Sequence, residues 1–232
     1  MHPQLPLSFD NIDARTFESF YAGDNAMLVD RLQQFSSASN NDQQILIWGG
    51  SAVGKSHLLN AACHEAAARG FRIAYLPARL IQSPAVFDGL EYCNLVCVDD
   101  VHLLPRSREL EVGLFSLINA VRQNDQRLLF ASAHAPANLS ILLPDLQTRL
   151  EWGASYSVHP LGPAHVREAL QGQAQQAGLT IESNVLDYLL NNFPRDIGTQ
   201  TTQLQQLDKA SMQTRRRITI PLVREVLLSD TV

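Results

Sequence analysis

The eight residues from Gly49 to Ser56 restrict the fold of this chain more than any other segment. They read GGSAVGKS and match the pattern G-x-x-x-x-G-K-[ST], between a short apolar run and a segment of helical periodicity. Glycines let backbone N–H groups approach a phosphate chain, and the following helix directs its positive dipole end at the same anion. A chance glycine-rich turn is the alternative reading. The strand before and the helix after favour a phosphate-binding loop.

This loop predicts roles for individual residues. Lys55 is expected to bridge the β- and γ-phosphate oxygens of a nucleotide, and the Ser56 hydroxyl to hold Mg²⁺. His57 is the next residue on the helix, where we expect its side chain to pack. The candidate nucleotide-binding residues of the loop are Gly49, Gly50, Ser51, Ala52, Val53, Gly54, Lys55, Ser56 and His57.

Short apolar runs alternate with longer helical patterns over the first two thirds of the chain. The runs lie at 43–50, 71–77, 94–100 and 127–133, with a weaker one at 155–161. Unbroken apolar runs are typical of strands covered on both faces, so the alternation predicts an α/β fold with a five-stranded parallel sheet. Beyond Pro163 only helical periodicity remains. We expect a tail at 1–15, an α/β domain at 16–161 and a helical lid at 162–232.

Composition excludes several classes of protein. Of the 232 residues 45% are hydrophobic, the formal net charge is −5, and the three arginines at 215–217 end a helical pattern. Phosphate backbones are bound through clustered Lys and Arg, so nucleic acid is not expected as the main ligand. Cys63, Cys93 and Cys97 form no disulfide or zinc pattern. The start lacks a signal peptide and no run is long enough to span a membrane, which predicts a cytoplasmic protein.

Two carboxylates end the third apolar run. In the sequence LVCVDD, Asp99 and Asp100 lie at the tip of a buried strand, where they would repel each other without a cation. Asp99 is expected to bind Mg²⁺ through water, and Asp100 to orient the attacking water. Because aspartate is one methylene shorter than the glutamate of vigorous ATPases, slow hydrolysis is expected. The alternative for Asp100 is a helix N-cap.

Six segments resemble the DnaA branch of the AAA+ family. They are TFESFYAGDN at 16–25, GKSHLLNAAC at 54–63, LVCVDDVHLL at 95–104, LPDLQTRLEWG at 143–153, QLDKAS at 206–211 and ITIPLVREVL at 218–227. The element around Arg149 and the final segment are the more specific ones. The resemblance covers nearly the whole chain and implies an AAA+ core with a helical lid.

This resemblance implies roles for two arginines. Arg149 is expected to be an arginine finger that enters the nucleotide site of a neighbouring molecule, and Arg195 to fold over the phosphates as sensor II. Phe20 and Tyr21 are candidates for contact with the base, with core packing as the alternative.

At the end of the fourth run the branch usually has an acidic or amide residue near the γ-phosphate, whereas this chain has Ala133. Intrinsic ATP turnover is therefore expected to be weak, and His134 to be a loop residue.

The first residues resemble a peptide that binds the DNA polymerase sliding clamp. That peptide has the form Gln-Leu-x-Leu-x-hydrophobe, which here corresponds to Gln4, Leu5, Leu7 and Phe9. Leu7 and Phe9 would fill apolar pockets on the clamp. The alternative is that the tail folds back onto its own core through Phe9.

The resemblance as a whole implies a negative regulator of DNA replication initiation. With the DNA-loaded clamp it would promote hydrolysis of DnaA-bound ATP while holding ADP or ATP with Mg²⁺ itself. DnaA carries a DNA-binding domain after its lid, whereas this sequence stops at Val232, so sequence-specific DNA binding is not expected. A homodimer is a candidate assembly. The alternatives are a free-standing ATPase, such as a helicase loader, and a small-molecule phosphotransferase.

Overall fold

A computed structural model describes residues 15–228 except 177, 180 and 195, and within them five strands and eight α-helices. The chain divides into two compact units between His159 and Pro160. Several predicted site residues lie outside the described part of the chain: Gln4, Leu5, Leu7, Phe9 and Arg195.

The first unit contains a five-stranded parallel sheet, as the apolar runs predict. Its strands are β1 Gln44–Trp48, β2 Ile73–Pro77, β3 Leu95–Asp99, β4 Arg127–Ser132 and β5 Ala154–Ser157. Their order is β2-β3-β4-β1-β5, so β1 lies between β4 and β5. The connection that leaves β1 runs toward β2, and the connection that leaves the neighbouring β4 runs the opposite way, toward β5. Ligands of α/β proteins bind at the carboxyl ends of two such strands, so the end of β1 is the expected ligand position.

Helices cover both faces of the sheet. They are α1 Ala26–Ser36, α2 Lys55–Ala68, α3 Arg108–Gln123 and α4 Pro144–Leu150. Successive strand residues point to opposite faces, and Leu128 packs in one core cluster while Leu129 packs in the other. In α3 the buried residues recur at helical spacing: Leu110, Leu114, Leu117, Ile118 and Val121. The runs of the three central strands, β1, β3 and β4, are almost entirely buried because helices cover both of their faces.

The second unit is helical where it is described. Its helices are α5 Pro163–Gln176, α6 Ser183–Asn192, α7 Ile197–Thr214 and α8 Ile220–Leu227. Val185, Leu189, Leu207 and Val223 form its main apolar core. The three arginines at 215–217 follow α7, and Arg216 pairs with Glu225 on the surface at 2.9 Å. Among the helices of the described residues, none is long and apolar enough to cross a membrane.

Candidate functional site

The segment from Gly49 to Ser56 forms the loop after β1 and the first two residues of α2, and it is held against the sheet. The Gly49 N–H donates to the Ser132 carbonyl at the end of β4, at 3.2 Å. A Cβ on Gly49 would lie 2.7 Å from the Val158 oxygen. At Gly54, where φ is +95°, a Cβ would lie 2.7 Å from a ring carbon of Phe20. Both positions therefore require glycine, which explains the spacing of the motif.

Lys55 is the first residue of α2, and its side chain is buried under the loop. Its ammonium donates to the carbonyl oxygens of Gly49 at 2.9 Å and Gly50 at 2.6 Å. Burial lowers the pKa of Lys55, while the charges of Asp100 and Asp99 raise it. The ammonium thus lies among the loop carbonyls and near both predicted carboxylates. A phosphate bound in the loop would meet a cation at this position.

Asp99 ends β3 in a buried position, 5% exposed. Its carboxylate accepts hydrogen bonds from the Tyr75 hydroxyl at 2.5 Å and from the Asp100 N–H at 3.0 Å. Burial raises the pKa of Tyr75, and Asp99 raises it further, so the hydroxyl stays protonated as a donor. Tyr75 was missed in the sequence, where it is one aromatic residue within an apolar run. Only the pairing of β2 with β3 brings it to the carboxylate.

Asp100 has a left-handed backbone, with φ of +52°, and begins the 3-10 turn Val101–Leu103. Its side chain makes no capping hydrogen bond to this turn. The N-cap alternative therefore finds no support in the structure. The strained conformation turns the chain sharply at the tip of β3 and leaves Asp100 near Lys55.

Replacing Tyr75 with phenylalanine should lower the free energy of unfolding by about 1.5–3 kcal/mol, the usual range for a hydrogen bond to a charged group. The ring is retained, so the change removes the hydroxyl that donates to the buried Asp99 carboxylate and also interacts with the Asn60 side chain. Urea denaturation of the purified protein measures the difference. Tyr156→Phe is the matched control, because Tyr156 is also half-buried in the sheet and its hydroxyl has no hydrogen bond among the described residues. Equal stability of the two variants would contradict a structural role for the Tyr75 hydroxyl.

The segment before α1 packs against the loop. The Phe20 ring contacts Gly54 and meets the His57 ring edge-to-face, with centroids 5.3 Å apart. His57 Nε2 lies 2.9 Å from the Thr16 carbonyl, and burial lowers the pKa of this histidine. The structure thus shows a packing role for Phe20 and His57. Contact of Phe20 or Tyr21 with a nucleotide base stays a prediction.

Arg149 lies near the end of α4, and this short helix is anchored at both ends. Before its first residue, the buried Glu111 carboxylate of α3 accepts the N–H groups of Leu142 and Leu143, the latter at 2.7 Å. At the other end, the buried Gln44 amide donates to the carbonyl of Arg149 in the last turn, at 2.8 Å, and to the carbonyl of Trp152 beyond it. Neither anchor was predicted from the sequence. Both act on the backbone, so they position Arg149 without occupying its guanidinium.

The Arg149 side chain rests on aromatic rings at the surface. Its guanidinium carbon lies 5.0 Å from the Trp152 ring centroid and 5.8 Å from that of Phe115. Arg122 stacks on the same tryptophan, and partial burial together with the Arg149 charge lowers the pKa of Arg122. Within the described residues Arg149 has no carboxylate partner. A half-exposed cation of this kind is available to an anion on another molecule.

No group of three or more His, Cys, Asp or Glu side chains that could hold a metal occurs in the described parts of the chain. At phosphate sites Mg²⁺ needs only one or two carboxylates, because water and phosphate oxygens complete its shell. The predicted ligands Ser56 and Asp99 lie at the ends of adjoining elements, α2 and β3.

Family models match both units of the chain. A model described as the bacterial DnaA ATPase domain matches residues 12–157, and a model described as the lid domain of Hda matches residues 164–227. The first match alone covers more than half of the sequence. This chain belongs to the DnaA-related AAA+ family and is of the Hda type. The predicted resemblance and the predicted AAA+ fold are both confirmed.

Solved structures of DnaA and of RuvB share the fold of this chain. Domain III of the Thermotoga maritima replication initiation protein DnaA matches with a TM-score of 0.80 and 16% identity, over 93% of this chain and 96% of that one. DnaA from Aquifex aeolicus, bound to AMPPCP, matches with a TM-score of 0.71 and 22% identity, over 84% of this chain and 65% of that chain. A RuvB mutant from Thermotoga maritima matches with a TM-score of 0.68 and 14% identity, over 94% and 73%. This DnaA-related chain therefore spans about two thirds of the Aquifex protein.

Proposed function

We propose that this protein is a negative regulator of replication initiation that promotes hydrolysis of ATP bound to DnaA. The observation that carries the proposal is Arg149, a half-exposed guanidinium on an anchored helix with no carboxylate partner among the described residues. In a neighbouring DnaA molecule, this guanidinium would stabilise the charge that develops during phosphoryl transfer. The lid domain of the Hda type and the DnaA-like α/β domain support DnaA as the partner.

Its own loop would hold ADP or ATP with Mg²⁺. The glycine backbone provides a cradle that a Cβ would fill, and Lys55 provides the cation. Binding would exchange the carbonyl contacts of Lys55 for phosphate oxygens. Ser56 and Asp99 would hold Mg²⁺, which supplies positive charge at the phosphates when bound. AMPPCP bound to the related Aquifex DnaA supports an adenine nucleotide.

The DNA-loaded sliding clamp is the second proposed partner, bound through Gln4, Leu5, Leu7 and Phe9. The support for this interaction comes from the sequence motif. A peptide of this type docks by inserting its apolar side chains into a groove. Such an arrangement would restrict the protein to DNA that is being replicated in the cytoplasm. Homodimer formation stays a proposal.

The deciding experiment measures hydrolysis of radiolabelled ATP bound to DnaA after addition of this protein, with and without clamp loaded on DNA. Conversion to ADP that requires both this protein and loaded clamp would support the proposal. No acceleration with loaded clamp would refute it. Robust turnover by the isolated protein that is lost in Asp100→Asn would instead identify a free-standing ATPase.

Replacing both Leu7 and Phe9 with alanine should weaken association with the clamp by about 30-fold or more, because apolar anchors at an interface contribute about 2 kcal/mol or more. Surface plasmon resonance with immobilised clamp measures this loss. Ser8→Ala is the matched control within the same peptide. A variant lacking residues 1–9 that still binds clamp would show that the tail is not the clamp ligand.

A further inference from the structure

His102 lies in the 3-10 turn after β3, and its ring is hydrogen-bonded to the residue that follows the neighbouring strand β4. Its Nδ1 accepts a hydrogen bond from the N–H of Ala133, the residue directly after β4, at 3.1 Å. An N–H group can donate only to an unprotonated ring nitrogen, so the neutral ring carries its proton on Nε2. The fold therefore fixes one tautomer of His102 and makes Nε2–H a donor.

The His102 ring lies beyond the carboxyl ends of β3 and β4, and the phosphate loop follows the carboxyl end of the adjacent strand β1. Ala133 follows Ser132, and the Ser132 carbonyl accepts the N–H of Gly49 at the start of this loop, at 3.2 Å. The charged groups that act on the ring are Asp99 and Asp100 on its own connection and Lys55 beneath the loop. Burial lowers the pKa of His102, and His134 and Lys55 lower it further, although the two aspartates raise it. The Nε2–H of the imidazole is thus a donor at the end of β4, and Lys55, the cation beneath the loop, acts on the same ring.

Ala133 itself offers no polar side chain to a phosphate. His134 is exposed, and its ring meets that of His102 edge-to-face with centroids 5.8 Å apart. Its backbone N–H donates to the Ser132 hydroxyl at 3.1 Å. Within the part of the chain that the structure describes, His102 is the one of these two histidines whose ring is held by a hydrogen bond. His102 is therefore the histidine whose ring orientation is fixed at this end of the sheet.

We propose that the Nε2–H of His102 donates to the terminal phosphate of a nucleoside triphosphate and so distinguishes triphosphate from diphosphate. The proposal rests on the nucleotide binding proposed for the loop. Lys55, which lies near His102, is the residue expected to reach the β- and γ-oxygens. A diphosphate lacks the group that His102 would contact, so only triphosphate affinity depends on this residue.

The test compares the dissociation constants of AMPPCP and ADP, measured with Mg²⁺ by isothermal titration calorimetry on the isolated full-length protein. His102→Ala and His102→Phe should each weaken AMPPCP binding by about 10- to 100-fold, the range for one hydrogen bond to a charged group, and leave ADP binding unchanged. His134→Ala is the control, since it removes the neighbouring ring and leaves the donor. Thermal melting verifies that each variant is folded.

A selective loss of AMPPCP affinity in both His102 variants, absent from His134→Ala, would support the proposal. An equal loss for AMPPCP and ADP, an unchanged ratio in either His102 variant, or the same selective loss in His134→Ala would overturn it. The affinity of the wild-type protein for ADP tests the proposed nucleotide binding separately. DnaA and the clamp are absent from the experiment, so its outcome is independent of the proposed regulatory activity.

Discussion

Replacing Arg149 with alanine should lower the stimulated hydrolysis of DnaA-bound ATP by about 10³- to 10⁵-fold, the contribution of an arginine finger supplied to another molecule. The reason is that the guanidinium stabilises negative charge in the transition state, in a site from which water is excluded. The measurement is the rate of conversion of DnaA-bound ATP to ADP in the presence of loaded clamp.

Because α4 is anchored through its backbone, this substitution should change the side chain of Arg149 without moving the helix. Gln44 and Glu111 hold the backbone on either side of Arg149, so alanine removes the cation and leaves the helix in place. Affinity for nucleotide and clamp should therefore be unchanged. Arg108→Ala, at an exposed position at the start of α3, controls for the loss of one surface charge. Normal stimulation by Arg149→Ala would refute the finger assignment.

Arg149→Lys separates charge from geometry. Lysine keeps the positive charge but lacks the planar fork that binds two phosphate oxygens and stacks on aromatic rings. Since Arg149 lies against the rings of Trp152 and Phe115, we expect lysine to restore only a small part of the activity lost in Arg149→Ala.

Lys55→Ala should weaken nucleotide binding by about 30-fold or more, equivalent to about 2 kcal/mol or more for truncating one partner of a buried charged pair. The ammonium is buried beneath the loop, and in α2 it is the cation closest to the predicted phosphate position. Isothermal titration calorimetry with ADP and Mg²⁺ measures the change.

Lys209→Ala provides the matched control for this variant. Lys209 is the second lysine of the sequence and lies exposed on α7, so its removal should leave affinity unchanged. Thermal melting shows whether the Lys55→Ala protein remains folded without the hydrogen bonds from Lys55 to the Gly49 and Gly50 carbonyls. A folded Lys55→Ala protein with wild-type affinity would contradict the phosphate-loop interpretation.

Much of the fold and part of the site could be predicted because they depend on residues that are neighbours in the chain. Strands covered on both faces require unbroken apolar runs, and a phosphate loop requires glycine where a Cβ would meet Val158 or Phe20. The positions of Asp99 and Lys55 at the ends of their elements follow from the same local patterns. The fifth strand was the weakest prediction, and it is also the shortest strand, Ala154–Ser157.

The contacts that organise the site join residues far apart in the sequence. Tyr75 is 24 residues from Asp99, His102 is 31 from Ala133, and Gln44 is 105 from Arg149. Each depends on which strands lie side by side, and the order β2-β3-β4-β1-β5 is not encoded in any local period. The sequence alone therefore determined the class of fold, the loop and the carboxylates. Tertiary structure decided how they are supported, because buried hydrogen bonds form only after distant strands and helices have packed.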